Sequence, residues 1–518
     1  MVLRPTFMGF EAAKSAIFAN QKSIDIMGNN LANIDTNGYT RQRVERASVA
    51  PSAYSTRVGT SRTALAGQGV DTLGVSQLRD SFLDKRFRDE YAQSSYHSRA
   101  SSILQDIQSA LGDGHDITDE SGLYGAIQQL YKNLNDFIQE PTMDTEANIV
   151  MSAFKNITQV LQQLNDRLTS VVTQQTGDLQ VDVSRVNDIT AQIAHLNRAI
   201  GEDSSVLTDS REYSQPNELL DQRNLLLDEL ASYGDLQVTE LANGKVNVQM
   251  GGHTVIQENH AGVLNMLTNN DGTIALQWGE TGEGISTSGG ILKASLDFLN
   301  GRGHNMQSST ETPFQGVPYY RDQLDTFAGA LANMVNHSVP EQDTVTGQPK
   351  VDTNGNIVYK TLLAAKTAGG STSVNVPVTA ANITISDEWR TNGAGYFIYS
   401  RDEDVEDYAQ QIASRLTDTD YTFRAYGESF TGSFADFEVN FLGRLGSDLS
   451  YQQSREEATA KVADDFLSRR DAVSGVSRDE ETTDMLKYQK SYEAASRMMT
   501  VLDDLLDVVI NRMGRAGL

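Results

Sequence analysis

The sequence contains no cysteine, few aromatic residues (7%) and no long hydrophobic run. The absence of cysteine excludes disulfide bonds and thiolate metal sites. No apolar stretch approaches the roughly 18 residues of a membrane-spanning helix. The start of the chain also lacks the basic region, apolar core and cleavage site of a signal peptide. We therefore expect a protein that does not use the usual secretory route.

Positive charge is scarce. Lysine and arginine number 42 against 69 acidic residues, which gives a formal net charge of -27. Nucleic acids and anionic membranes both require a basic face on the protein that binds them. We therefore expect neither a nucleic acid nor a membrane as a main partner.

Recognisable catalytic and metal-binding patterns are also missing. The seven histidines are scattered, without a His-Glu-x-x-His pair, and no nucleophile-elbow motif occurs. Residues 352–356 predict a hairpin turn rather than a calcium loop, because the closing glutamate of an EF-hand is absent. The acidic run 402–407 is typical of a solvated face, and whether it binds a cation is left open. We expect no catalytic, cofactor-binding or metal-binding residues and no cofactor.

Both ends of the chain carry apolar residues at alternating spacings of three and four, which is the pattern of a helix with one narrow apolar seam. Asn20 is the only polar residue in the N-terminal seam, and the C-terminal seam has none. Two hypotheses fit: the termini pair with each other or with neighbouring copies in a coiled-coil layer, or they are ordinary amphipathic helices on a core. For the first, the predicted assembly residues are Phe10, Ile17, Ile24, Met27, Leu31, Met485, Tyr488, Tyr492, Met499, Leu502, Leu506 and Val509.

Between the termini the periodicity is mostly helical. A period of two appears between Leu236 and Trp278, where Asn243-Gly244 and Asp271-Gly272 mark hairpin turns. Residues 340–435 are rich in Gly, Thr, Asn, Asp and Ser and predict an inserted β-rich domain. The predicted internal helices span 78–111, 123–137, 145–175, 179–200, 217–233, 291–299, 320–339 and 434–468, with 145–175 and 179–200 as antiparallel partners.

The expected fold is therefore a multidomain α+β protein. Residues 1–38 with 475–518 form a terminal helical assembly layer of coiled-coil-forming helices. Residues 39–339 with 436–474 form a helical bundle domain that carries a small antiparallel β element at about 236–286. Residues 340–435 form the inserted, β-rich outer domain.

Short motifs at both ends resemble a known family. Asn29-Asn30-Leu31-Ala32-Asn33, followed by Thr36, Gly38 and Tyr39, resembles the N-terminal signature of flagellar rod, hook and hook-associated proteins. Residues 474–481 and 488–495 resemble the C-terminal signature of the same axial family. Residues 219–230 and 289–292, with the helix through 320–325, resemble the helical domain of its hook-filament junction branch, although Asn224 stands where an acidic residue is expected.

The resemblance implies a structural, non-enzymatic subunit that forms a junction ring between hook and filament. It implies self-association, contacts with the hook protein and with the next hook-associated protein, and a cytoplasmic chaperone on the C-terminal helix. It also implies export through the flagellar type III apparatus without a cleaved signal peptide, so that the protein lies extracellularly in the bacterial flagellum.

Two alternatives stay open. The chain could be another axial subunit, such as a hook or distal rod protein, although such proteins would lack the long helical bundle of residues 78–233. It could instead be an adhesin or ligand-binding protein that acts through residues 340–435. The subunit count of a ring and the fold of that insertion do not follow from the sequence.

Overall fold

A computed structural model gives the structure of the chain. It describes residues 6–49, 69–112, 122–206, 213–214, 216–303, 314–343, 345–398, 407–425, 428–508 and 510. The acidic run at 402–406 and Val509 lie outside these residues.

Long helices dominate the described parts of the chain. Most begin or end at residues that favour helix termini, such as the Ser433–Asp436 capping box and the Asp80 N-cap. The helices are α1 (Thr6–Ala32), α2 (Ser81–Leu111), α3 (Gly122–Gln139), α4 (Asp144–Val206), α5 (Asn217–Tyr233), α6 (Gly290–Asn300), α7 (Val317–Asn336), α8 (Asp387–Asn392), α9 (Ala394–Phe397), α10 (Asp407–Thr417), α11 (Phe434–Ser474) and α12 (Arg478–Asp507).

The strands are short and form small, separate sheets. β1 (Gln42–Ser48) pairs antiparallel with β2 (Val70–Gln77), and β2 pairs parallel with β3 (Tyr213–Ser214). The remaining strands are β4 (Leu236–Glu240), β5 (Val246–Met250), β6 (His253–Gln257), β7 (His260–Ala261), β8 (Leu264–Thr268), β9 (Ile274–Trp278), β10 (Leu363–Lys366), β11 (Thr372–Ser373), β12 (Ile383–Ile385), β13 (Thr422–Ala425) and β14 (Glu428–Thr431). β4 to β7 form one antiparallel sheet, β8 pairs with β9, β10 lies between β11 and β12, and β13 pairs with β14.

The turn predictions in the middle of the chain are confirmed. Gly244 joins β4 to β5 and Gly272 joins β8 to β9, each with a positive φ. Asp352 accepts hydrogen bonds from the backbone N–H groups of Asn354 and Asn356, so residues 352–356 form the predicted turn.

The prediction of two antiparallel helices at 145–175 and 179–200 is wrong, because α4 is one continuous helix of 63 residues. At 1.5 Å per residue it is about 95 Å long. Apart from the adjoining backbone of α4 itself, no described atom lies within 4 Å of the position that a Cβ on Gly177 would take. A solvent-facing glycine costs a helix only about 1 kcal/mol, which the burial of Val171 and Leu179 on either side outweighs.

The helix α4 spans two hydrophobic cores. Its first half buries Phe154, Leu161 and Leu168 in a core that also contains residues of α2, α3, α7 and α11. Its second half buries Leu179 and Val186 against α5 and the sheets of β4 to β9. The continuous helix therefore joins the two cores.

The segment predicted as a β-rich insertion contains helices α8 to α10 as well as strands. Trp389, Phe397 and Phe423 are buried in the same core as Phe154 and Phe327 of the long helices. Trp389 packs edge-on against Phe154 with a centroid distance of 5.6 Å. The apolar surface of residues 362–423 is thus shared with the helical body, and their assignment as an outer domain remains a prediction.

The terminal helices α1 and α12 pack along each other. Asn30 contacts Glu481 at one end of the pair, and a Cβ on Gly9 would lie 3.4 Å from Leu502 at the other. Because the residue number rises in α12 as it falls in α1, the two helices are antiparallel. The helices that the sequence places at the two ends of the chain therefore meet within a single subunit.

Gly177→Ala tests the continuity of α4. We expect the free energy of unfolding to rise by about 0.5–1 kcal/mol, because alanine restricts the unfolded chain and meets no obstacle in the helix. Urea denaturation followed by circular dichroism measures it. Gly290→Ala is the contrasting control, since Gly290 has φ +87° and its Cβ would lie 2.4 Å from the Tyr233 backbone. A destabilising Gly177→Ala would indicate that the helix breaks there.

Candidate functional site: the junction of the two chain termini

Asparagine side chains shape the exit from α1. The Asn33 amide donates to the Asn29 carbonyl oxygen at 3.0 Å, and the Thr36 hydroxyl donates to the Asn33 side chain at 3.2 Å. The Tyr39 N–H then donates to the Thr36 carbonyl. Gly38 has φ +79°, a conformation that favours glycine. The chain therefore leaves the helix in a compact hydrogen-bonded turn.

Asn30 is the fully buried centre of this region. Its side-chain oxygen accepts from the Gln42 N–H at 3.1 Å and from the Tyr39 hydroxyl at 2.9 Å. Its side-chain nitrogen donates to the Gln42 carbonyl and to Glu481 Oε2, each at 3.0 Å. Both donors and both acceptor positions of the amide are used. One side chain thus ties together α1, β1 and the start of α12.

Glu481 is also fully buried and pairs with Arg41, whose Nε lies 2.6 Å from Oε1. Arg41 also contacts the exposed Glu480 at 2.7 Å, and its backbone N–H donates to the Ser474 carbonyl. Glu481 lies in the first turn of α12, where the helix dipole favours negative charge. A buried ion pair contributes little net stability but strongly disfavours any arrangement that separates its partners.

Asp221 of α5 connects this region to the helical body. Its carboxylate accepts from the Thr40 N–H at 3.2 Å and from Gln77 Nε2 at 2.9 Å. Burial raises the pKa of Asp221, and the hydrogen bonds from Thr40 oppose that rise. Burial, with the negative charges of Asp221 and Glu481 nearby, also raises the pKa of Tyr39. Tyr39 therefore stays a neutral hydrogen-bond donor to Asn30.

Arg223, two residues further along α5, points to other partners. Its guanidinium donates to the Gly244 carbonyl at 2.7 Å and to the Asn197 side chain at 3.2 Å. Burial lowers the pKa of Arg223 to about 10. The segment 219–223 is thus hydrogen-bonded to the terminal junction through Asp221 and to the β4–β5 turn through Arg223.

A cluster of charged side chains continues from the junction into the body. Arg79 pairs with Asp84 of α2 at 2.6 Å. Asp228 of α5 forms ion pairs with Arg88 of α2 at 2.7 Å and with Arg470 of α11 at 2.6 Å. These pairs hold α2, α5 and α11 together just below the α11–α12 connection.

The junction has the chemistry of a structural joint. Most of its polar groups are hydrogen-bonded or ion-paired to each other, although the buried Gln42 Nε2 has no hydrogen-bond partner among the described residues. Among the described residues, no set of three histidine or acidic side chains is placed to hold a metal ion. The described helices also include none that is long and apolar enough to span a bilayer.

Three family models match the chain. The model for the flagellar hook-associated protein FlgK helical domain matches residues 104–352. The flagella basal body rod protein model matches residues 10–40, and the model for the C-terminal part of flagellar basal body rod FlgEFG proteins matches residues 470–513. The last two models cover the two sides of the Asn30–Glu481 junction.

Curated relatives match over almost the whole chain. The sequence is 27% identical to flagellar hook-associated protein 1 of Bacillus subtilis (strain 168), over 99% of both chains. It is 22% identical to flagellar hook-associated protein 1 of Escherichia coli (strain K12), over 96% of this chain and 98% of that one. The chain is thus a homologue of the flagellar hook-associated protein 1 family.

Members of this family are structural proteins of the flagellum, so the chain is an axial structural protein of the bacterial flagellum and not an enzyme. Among solved structures, the flagellar hook junction protein FlgK from Burkholderia pseudomallei aligns with a TM-score of 0.42 and 21% identity. That alignment covers 54% of this chain and 46% of the other.

The structure places most predicted family-signature residues in one hydrogen-bonded network around Asn30, namely Asn29, Asn30, Asn33, Thr36 and Tyr39. The predicted seam residues lie along the α1–α12 pair. Met27 is buried, Phe10, Ile17, Ile24 and Leu31 are half-buried, and Tyr492 is 37% exposed. Their role in assembly between subunits remains a prediction.

Four residues of the junction do not figure among the predicted sites: Arg41, Gln42, Asp221 and Glu481. Glu481 and Asp221 belong to segments that carry the family resemblance, so the motifs pointed to them without giving their contacts. Arg41 and Gln42 have no sequence signal, because neither belongs to a motif or a periodic apolar face that would indicate its partners.

Proposed function

We propose that the chain is a subunit of the ring that joins the flagellar hook to the filament. The family relationship supports this proposal, because the curated relatives are hook-associated proteins that match from end to end. The subunits would associate with each other, with the hook protein and with the next hook-associated protein toward the filament.

The observation that carries the proposal is an uncovered apolar stripe on α12. Leu486, Met498, Val501, Leu505 and Val508 are exposed, with exposed fractions from 40% to 59%. Met498, Val501, Leu505 and Val508 each come directly before a predicted seam residue in the sequence. Their side chains therefore lie about 100° around the helix from the seam. The apolar face of α12 is therefore wider than α1 covers. Neighbouring terminal helices in a coiled-coil layer would bury the remainder.

The same stripe supports a chaperone before assembly. An uncovered apolar helix in the cytoplasm would aggregate, so a dedicated chaperone would hold residues 475–518 until export. We propose export through the flagellar type III apparatus to the outside of the cell. The absence of cysteine is compatible with that oxidising destination.

The fold also suggests how a subunit would be oriented in the ring. The terminal layer would lie toward the channel, with residues 340–435 facing outward. In support, α12 packs on α1, whereas α8 to α10 and β10 to β14 pack on the helical body.

The double substitution Val501→Asp and Leu505→Asp tests the assembly role in the source cell. We expect hooks without filaments, flagellin lost to the medium and no swimming, because two carboxylates prevent burial of the stripe. Electron microscopy of hooks, immunoblots of the medium and swimming assays measure these effects. The variant protein should still appear in the medium if export is intact.

Gln489→Asp with Thr500→Asp is the matched control, since both residues are exposed on the same helix and the added charge is equal. This control should leave filaments in place. The purified stripe variant should also melt like the wild type, because surface substitutions change stability by only about 0.5 kcal/mol. Normal filaments on cells with the stripe variant would overturn the proposal.

A further inference from the structure

Two buried polar residues of the N-terminal helix are contacted by one side chain, that of Arg46. Asn20 and Ser23 are buried on α1, although they lie on a helix whose seam is otherwise apolar. Arg46 of β1 reaches both of them. Its guanidinium donates to Asn20 Oδ1 at 3.3 Å, to the Ala19 carbonyl at 2.8 Å and to the Ser23 hydroxyl.

Arg46 also contacts α12. The carbon of its guanidinium lies 4.5 Å from the centroid of the Tyr488 ring, which is cation–π geometry. One side chain of β1 therefore touches both α1 and α12 at the same level of the helix pair. The Asn30–Glu481 junction is a second polar contact between the described parts of α1 and α12, one heptad away from Ser23 and Tyr488.

The positions of these contacts agree in register. The separation along α1 from Asn30 to Ser23 is seven residues, and so is the separation along α12 from Glu481 to Tyr488. The separation along α1 from Asn30 to Gly9 is 21 residues, which equals the separation along α12 from Glu481 to Leu502. β1 runs beside α1 with a similar spacing. The four residue steps from Gln42 to Arg46 span about 13 Å, and the ten steps from Asn30 to Asn20 span about 15 Å.

An apolar seam by itself does not fix such a register. When the residues that meet are all aliphatic, aromatic or methionine, a slip of one turn exchanges one apolar contact for another. A single buried polar contact removes this degeneracy, because a slip leaves its donors without partners. The Asn30–Glu481 junction does this at the end next to the body. Beyond it, Arg46 is a polar group that contacts both α1 and α12.

We propose that Arg46 is a positioning residue that sets the register of α12 against α1 beyond the Asn30–Glu481 junction. It acts by recognising Asn20 and Ser23 on one helix and Tyr488 on the other. This inference concerns the single chain and holds whether or not the chain forms the proposed junction ring.

The test uses the absence of native cysteine. Two pairs are introduced separately into the full chain: Gly9→Cys with Leu502→Cys, which is in register, and Gly9→Cys with Leu506→Cys, which is one turn out of register. Mild oxidation and mass spectrometry give the ratio of the two intrachain disulfide yields. Arg46→Met should lower this in-register to out-of-register ratio by about fivefold, as expected when the cation–π contact with Tyr488 is lost.

Asn20→Leu separates positioning from simple stabilisation. Leucine completes the apolar seam, so the helix pair should remain folded by circular dichroism while the disulfide ratio still falls. Arg43→Met is the matched control, because Arg43 lies on the same strand but is exposed and pairs with Glu45. It should leave the ratio unchanged. An unchanged ratio in folded Arg46→Met or Asn20→Leu protein would overturn the proposal.

A further pair, Met27→Cys with Met485→Cys, reports on the region next to the Asn30–Glu481 junction. The register defined above places Met485 one residue from the position opposite Met27. Their disulfide yield should not change in Arg46→Met, because the junction remains intact. A loss at this pair as well would show general detachment of α12 and would contradict a role for Arg46 in register.

Discussion

Glu481→Ala is expected to loosen α12 from the rest of the chain. The Glu481 side chain is fully buried and satisfies both the Asn30 amide and the Arg41 guanidinium. Removing one partner of a buried ion pair costs about 3–5 kcal/mol, because the other partner is left uncompensated. Arg41 is partly exposed and keeps Glu480, so we expect a value near the lower end.

The loss should be local. The junction holds the start of α12, whereas the two hydrophobic cores do not include α12. Hydrogen exchange followed by mass spectrometry should show protection in residues 478–507 falling by about a hundredfold, the equivalent of about 3 kcal/mol. Protection in α4 should be retained.

Glu480→Ala is the matched control for Glu481→Ala. Glu480 contacts the same arginine, but its side chain is 65% exposed against 0% for Glu481. An exposed ion pair contributes only about 0–1 kcal/mol, so exchange in α12 should change little. Equal effects of the two substitutions would mean that burial at the junction does not hold α12.

Glu438→Gln is expected to stabilise the chain at alkaline pH and to have little effect at acidic pH. Glu438 of α11 is buried, and its carboxylate accepts a hydrogen bond from the Tyr124 N–H in the first turn of α3. Burial raises the pKa of Glu438 from 4.5 to about 7, and the Tyr124 hydrogen bond opposes this rise only in part. Above that pH the folded chain must hold a buried negative charge.

The direction of the pH dependence follows from this pKa. Because the folded-state pKa lies above the unfolded value, the contribution of protonated Glu438 is present below pH 4.5 and is lost as the pH rises through 7. The full difference corresponds to about 3 kcal/mol. Glutamine stays neutral and keeps an oxygen for the Tyr124 N–H. Its advantage over glutamate should therefore grow from near zero at pH 4.5 to about 3 kcal/mol at pH 8.5.

Urea denaturation of the wild type and of Glu438→Gln across this pH range measures the effect. Asp464→Asn is the control, since Asp464 is an exposed carboxylate on the same helix. Its difference from the wild type should be small and nearly independent of pH. A Glu438→Gln difference that does not vary with pH would show that Glu438 is not a buried titrating group.

Local features of this protein were determined by the sequence alone. The periodicity of α5 and the signals at Pro216 and Gly234 gave its limits, because helix ends depend on nearby residues. The glycines of the β4–β5 and β8–β9 turns likewise marked both hairpins. The motifs at residues 29–39 and 474–481 indicated the family before any contact was known.

Tertiary packing decided the rest. The sequence suggested a break near Gly177, but the cost of one exposed glycine is small beside the two cores that α4 buries on either side. Residues 340–435 looked like a separate domain because Gly, Thr, Asn, Asp and Ser replace the long apolar helix faces there. Composition does not show that Trp389 packs on Phe154, more than 200 residues earlier.

The same limit applies to the terminal seam. The heptad pattern showed which faces of α1 and α12 are apolar, and it made Asn20 an unexplained exception. Only the folded chain brings Arg46 to Asn20 and Glu481 to Asn30. Periodicity is a property of one segment, whereas a buried polar contact depends on two segments that meet only in the folded chain.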